Sequence, residues 1–183
     1  MNLIETLERL VGQVPEIVQP LIAAVAAAIP FVEGEGGVVI GIAGGINPFV
    51  AAIAAMAGNF ISVAVLVLLG SGARDAVVNR RQANVRARAG VPAGGYAPEA
   101  PAALPDESKG SDRRAKFQRA YQRYGVPGVS LLGPLLLPTH FTATMLAASG
   151  VGKARILFWQ ALAIFLWTTA TALIVTGVLG AIR

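Results

Sequence analysis

Cysteine is absent from the sequence and histidine occurs once, as His140. Without cysteine there is neither a disulfide framework nor a thiolate metal site, and one histidine is too few for the usual zinc constellations. The sequence therefore calls for no metal and no cofactor. Charge is scarce as well. Asp, Glu, Lys and Arg make up 14% of the 183 residues, against about 25% in ordinary soluble domains. Hydrophobic residues make up 55% and the mean hydropathy is +0.63. This balance points to lipid as the solvent, and the length to a single domain. The opening residues 1–10 mix charge of both signs and lack a basic start followed by an apolar run, so they are expected to be kept rather than cleaved as a signal peptide.

The formal net charge is +5, and its location matters more than its size. Residues 71–123 hold eleven of the fifteen Lys and Arg and five of the ten Asp and Glu, which leaves that segment at +6 and the rest of the chain at −1. A basic stretch between apolar segments is the mark of a cytoplasmic loop under the positive-inside rule. It is not read as a nucleic-acid interface, although basic and aromatic residues alternate near its end.

Along the chain, apolar runs alternate with breaks. Leu3, Ile4, Leu7, Leu10, Val11 and Val14 recur at helical spacing opposite Glu5, Glu8 and Arg9, which predicts an amphipathic helix over residues 1–14, lying in the membrane interface or on the protein's own apolar belt. Residues 17–32 are apolar but broken by Pro20 and ended by Pro30. At about 1.5 Å per residue they fall short of a hydrocarbon core of about 30 Å. Glu33-Gly-Glu-Gly-Gly37 follows as an acidic, Gly-rich break, and 38–46 is a second short run. Two short helices meeting at a break fit a re-entrant hairpin over 17–46. Asn47-Pro48 turns the chain into a full-length span over 48–70, whose face Ala51, Ala54, Ala55, Gly58 and Ser62 has the small-residue spacing that lets helices approach closely. This face is one candidate contact for a homodimer.

Residues 71–110 are rich in Arg, Gly, Pro and Ala without apolar periodicity, and are expected to form a disordered cytoplasmic linker. Phe117, Tyr121 and Tyr124 then return at helical spacing among Arg113, Arg114, Lys116, Arg119 and Arg123, as suits an interfacial helix over 111–124 on anionic lipid. Residues 125–151 are apolar but carry Pro127, Pro134 and Pro138. Interior proline argues against one straight helix, so a second hairpin breaking near Pro138-Thr-His140 is expected. Residues 156–182 make a second span.

The expected fold is therefore an all-α integral membrane protein, in which each half runs through an interfacial amphipathic helix, a re-entrant helical hairpin and a transmembrane helix. The basic segment places 71–123 in the cytoplasm, so the first half starts outside and the second inside. That is an inverted-topology repeat, a recurring plan of secondary transporters. A faint echo supports it: Glu35 and His140 each lie ten residues before the last glycine of Ala43-Gly-Gly-Ile46 and Ala148-Ser-Gly-Val151.

Pro30-Phe-Val-Glu33 with the Gly-rich run to Gly45, Ala55-Met-Ala-Gly-Asn59, and Tyr124-Gly-Val-Pro-Gly128 leading into Pro134-Leu-Leu-Leu-Pro138 resemble the small multidrug export protein family. That family is similar to the larger DedA group of membrane proteins with paired re-entrant hairpins. The resemblance implies a bacterial inner-membrane location and export of a small or lipophilic compound. Alternatively it implies a flippase or scramblase for a polyprenyl-phosphate or phospholipid. A scaffold or assembly protein without transport activity is a third reading.

Chemistry is confined to few residues. Glu33 and Glu35 are the only carboxylates between Ile17 and Leu69. A carboxyl group drawn into the hydrocarbon layer is desolvated, which favours its protonated form. Exchange of that proton against a substrate is then the simplest coupling available. His140 is the second candidate, as a proton relay or as a partner for a glutamate across the repeat. Asn59, Thr139 and Thr142 are candidates to line the same cavity. The expected partners are membrane lipids, protons, a small-molecule or lipid substrate and a second copy of the chain. Enzyme signatures are missing. Gly150-Val-Gly-Lys153 lacks the first glycine and the closing Ser/Thr of a phosphate-binding loop. No Ser-His-acid set is expected either, since no acidic residue follows Asp112.

Overall fold

The structure, a computed structural model, describes residues 3–89, 121, 124–135 and 137–182. Among the described residues all regular structure is helical. Helix α1 covers Leu3–Gln13, α2 Gln19–Ala27, α3 Glu33–Ala43 and α4 Pro48–Ala89. Helix α5 covers residues 124–132, and a 3-10 turn at Gly133–Leu135 leads to α6, Thr139–Ala148, and α7, Lys153–Ile182.

Helices α2 and α3 pack against each other and against α4, and α3 also packs against α7. Proline shapes the first hairpin at both ends. Pro20 sits in the first turn of α2, where its missing N–H costs nothing, and Pro30 ends the run. The reversal falls at residues 28–32, earlier than the sequence led one to expect. Phe31 and Glu33 carry the strain, with φ of +74° and +54°, a region that side chains other than glycine rarely adopt. Glu33-Gly-Glu-Gly-Gly37 is accordingly not the break but the first turns of α3. Its glycines serve close packing: a methyl group on Gly37 would lie 2.6 Å from the Ala27 Cβ.

The second hairpin repeats the device. Gly133 and Pro134 tighten the turn, Pro138 adopts an extended conformation as the residue before α6, and α6 begins at Thr139. Val126 and Val129 of α5 join Ala143, Leu146 and Ala147 of α6, with Val63 and Val67 of α4 and Ile156 and Ile164 of α7, in one apolar cluster. A second cluster gathers Val11 of α1 with Ala23, Ala26, Val38, Ile40 and Ala51 around the first hairpin. Helix α1 thus lies on the protein through Leu7 and Val11 while Ile4 and Leu10 stay exposed.

Two helices are long and apolar enough to cross a membrane, over Pro48–Asn84 and Lys153–Ala181. Only 33% and 17% of their most apolar windows are buried inside the protein. A core helix of a water-soluble fold would bury most of such a window. Phe49, Ile53, Ile61, Leu69, Phe158, Phe165, Leu173 and Ile174 instead face outward, an apolar belt too large for water.

Two expectations need correction. The helix begun at Pro48 does not stop at residue 70 but runs 42 residues to Ala89, about 60 Å at about 1.5 Å per residue. Residues 71–89 are therefore helical rather than a disordered linker. Alanine and arginine dominate them, both strong helix formers, and the first Gly-Val-Pro breaker comes at Gly90. Residues 90–110 and most of the expected interfacial helix over 111–124 lie outside the described residues. The small face of α4 is the second correction. Ala51 and Ala55 are fully buried within the chain, and a side chain on Gly58 would overlap the Ala24 carbonyl of α2. That face is spent on the first hairpin and is closed to a second copy.

Substituting Gly58 by valine should therefore lower the stability of the detergent-solubilised protein by at least about 1–3 kcal/mol. Gly72→Ala, where nothing lies within 4 Å of the added methyl, should raise it by about 0.5–1 kcal/mol. Thermal unfolding followed by circular dichroism checks both.

Candidate functional site

The tips of the two hairpins meet. Phe31 and Phe141 meet at a tilt of 54° with ring centroids 5.7 Å apart, and behind them the first turns of α3 and α6 bring Glu33 to Thr139 and His140. Glu33 and His140 are buried, 7% and 2% exposed. Ser62 of α4 completes the set, about 20 Å along a helix whose apolar stretch is about 30 Å.

The contacts form one chain. Thr139 Oγ1 donates to Glu33 Oε2 at 2.8 Å. His140 Nδ1 lies 3.3 Å from Glu33 Oε1, and His140 Nε2 lies 2.8 Å from Ser62 Oγ. Ser62 Oγ in turn donates to the Ala28 carbonyl at 3.1 Å, one of the carbonyls left without an intrahelical partner at the end of α2. This last bond orders the rest. A hydroxyl has a single proton to give, and a carbonyl can only accept. Ser62 therefore accepts from His140, and Nε2 carries a hydrogen. Nδ1 and Glu33 Oε1 are then left facing each other, a contact that one proton between them would satisfy. Placed on Nδ1 it makes an ion pair; placed on Oε1 it makes a neutral pair. Without it two lone pairs would oppose each other, and a second proton would have its place on Oε2, facing the Thr139 hydroxyl.

Ser62, His140 and Glu33 are thus a serine, a histidine and an acid in contact, an arrangement not expected from sequence because no acid follows the histidine. The acid comes from 107 residues earlier. Its proton order is the reverse of a nucleophile's: the imidazole donates to the serine instead of withdrawing its proton.

The other sequence candidates separate around this core. Thr142 is buried, donates to the Thr139 carbonyl at 2.9 Å and accepts from Gln160 Nε2 at 3.2 Å. Asn59 is 1% exposed beside Gly34, and neither end of its amide has a hydrogen-bond partner. Glu35, half-buried on α3, takes no part in the network. The pairing with His140 falls to Glu33, because two residues along a helix turn a side chain by about 200°.

Sequence reasoning missed Ser62 as a hydrogen-bonding residue, and missed Gln160 and Thr168. Both of these are fully buried on the face of α7 that carries Ile156, Ala163 and Ile164. The available signal was a polar residue recurring on one face of an otherwise apolar span. Thr168 comes so close that a side chain on Gly34 would overlap its hydroxyl. Among the described residues no group of three or more His, Cys, Asp or Glu could hold a metal.

No family model matches the chain, and comparison with curated proteins and with solved structures finds no similar one. The geometry gives one hydrogen-bonded chain through Thr139, Glu33, His140, Ser62 and the Ala28 carbonyl, with the carboxyl and the imidazole both buried.

Replacing Ser62 by alanine should cost about 1–3 kcal/mol, since the half-buried Ala28 carbonyl and the buried His140 Nε2–H both lose their partner. Ser130→Ala should be neutral or stabilising, because the Ser130 hydroxyl is buried with no partner to lose. Paired thermal melts of the two variants make the comparison.

Proposed function

We propose that this chain is a proton-coupled secondary transporter of the bacterial inner membrane, exporting a small or lipophilic compound. The observation that carries the proposal is the buried contact of Glu33 with His140, 3.3 Å long, where two helical hairpins meet. In this reading α2–α3 and α5–α6 are re-entrant hairpins of opposite orientation, α4 and α7 are the spans, and residues 71–123 lie in the cytoplasm. The likeness of the two hairpins supports an inverted repeat, since in each of them a proline-broken turn delivers a polar side chain from the first turn of its second helix. Broken helices that meet inside the bilayer are where such repeats hold substrate and coupling ion.

Coupling follows from the proton count of the pair. A second proton has its place on Glu33 Oε2, where it reverses the bond from Thr139 and turns the Glu33–His140 ion pair into a weaker neutral contact, loosening the tie between the two tips. Release restores it. A site whose closure depends on its proton count is open to one side when protonated and shut when not. The lipid-flippase reading lacks a cation for the headgroup inside the second hairpin, because residues 124–150 contain no Lys or Arg.

The test is flux in proteoliposomes under an imposed pH gradient, with fluorescent lipophilic cations as probe substrates and internal pH recorded in parallel. Glu33→Gln should abolish gradient-driven flux, and Glu35→Gln should retain most of it. Undiminished proton-driven flux in Glu33→Gln would remove the pair from the mechanism.

A further inference from the structure

A second cluster lies where both spans end. Past the apolar stretch of α4, Ser71, Arg74 and Asp75 face Gly150 and Lys153, around a cavity of ≈ 230 Å³. Gly152 accepts the first backbone bond of α7, from Ile156 at 3.1 Å, so the open N–H groups of a 30-residue helix begin here. Gly150 has φ of +87°, and a side chain on it would start 2.6 Å from the Arg74 guanidinium. The absence of a side chain there leaves that guanidinium room against the turn.

Three features point to an anionic guest. Two cations from different helices flank the cavity, with Arg74 and Lys153 side chains 32% and 47% exposed. The helix N-terminus adds a partial positive charge and free donors. Ser71 is 6% exposed, yet its hydroxyl has no hydrogen-bond partner, an unmet donor on the cavity wall. Asp75 is the opposing group. Its carboxylate stands 3.8 Å from Arg74 and 4.0 Å from Lys153, at the outer edge of ion pairing, and leaves the three side chains at a net charge of +1. Contacts this long hold the cations in place without satisfying their donors.

We propose that this cluster is a phosphate-binding site at the end of the two spans, in which Arg74, Lys153, Ser71 and the first turn of α7 hold a phosphate group. Gly150-Val-Gly-Lys153, which fails as a nucleotide loop, acts here as one wall of a simpler oxyanion cradle. Two sources offer that group at this depth: the headgroup of a membrane lipid, and free phosphate from the aqueous side. Asp75 sets the affinity by competing for both cations.

The test uses the full chain in a neutral detergent. Thermal stability is titrated with inorganic phosphate and, separately, with short-chain phosphatidic acid, against chloride at matched ionic strength. A saturable stabilisation by phosphatidic acid alone assigns the site to a lipid headgroup; one by both ligands assigns it to the phosphate group itself. In either case Arg74→Gln and Lys153→Gln should each weaken binding about ten-fold, and Asp75→Asn should tighten it. The last variant separates binding from scaffolding, since a merely structural ion pair loses stability when Asp75 is neutralised and gains no affinity. Stabilisation no greater than that by chloride, or affinity unchanged by Arg74→Gln and Lys153→Gln, would overturn the proposal.

Discussion

A carboxyl group and an imidazole cannot sit in an apolar interior unless each satisfies the other, and this constraint organises the molecule. Glu33 and His140 are 107 residues apart in sequence, and nothing but folding brings them together. Each stands in the first turn of a short helix that begins at a proline-shaped reversal. To meet, those reversals must reach the same depth beside α4, where Ser62 fixes the imidazole and closes the end of α2. The positive φ of Glu33 fits this picture. A strained backbone of about 1–3 kcal/mol persists because the hydrogen bonds to Thr139 and His140 hold the side chain where the strain puts it.

Around this polar centre the packing is built from small residues. Gly37 against Ala27, Gly41 against Ala51 and Gly58 against the Ala24 carbonyl bring α2, α3 and α4 into backbone contact. In lipid such contact replaces the hydrophobic effect as the cohesive term, since the tails outside are as apolar as leucine inside. Large side chains are pushed outward instead, which is why Phe49, Ile61, Phe158 and Leu173 are exposed while Ala51 and Ala55 are not. The outward belt and the close-packed centre are two results of one solvent.

Much of this was legible in the sequence. Proline marked both helix pairs, although the first reversal falls at residues 28–32 and not in the Gly-rich run. Length and composition marked the two long apolar helices, and scarcity singled out Glu33, Glu35 and His140 because few ionisable groups occur between the ends of the apolar segments. Thr139 followed from its place beside them. Other features depended on distance in space. Choosing Glu33 over Glu35 needs the helical phase at the start of α3, which turns on a backbone angle no propensity predicts. Ser62 reads as one more small residue on a packing face until Ala28 and His140 come within reach. The helix over 71–89 was hidden by its charge: arginine-rich and without apolar periodicity, it looked like linker, yet intrinsic propensity and the continuation of an already nucleated helix suffice. The serine–histidine–acid contact is hidden in chain order, because its acid lies 107 residues before the histidine.

The most direct measurement on the Glu33–His140 contact uses the fact that the chain has one histidine. Nitrogen-15 NMR of histidine-labelled protein in lipid bilayers reports both ring nitrogens of His140 without any assignment step. The expected result is a hydrogen on Nε2 and an Nδ1 resonance displaced by the contact with Glu33, with the displacement lost in Glu33→Gln. A hydrogen on Nδ1 with a bare Nε2, or an Nδ1 resonance that is the same in both proteins, would contradict it.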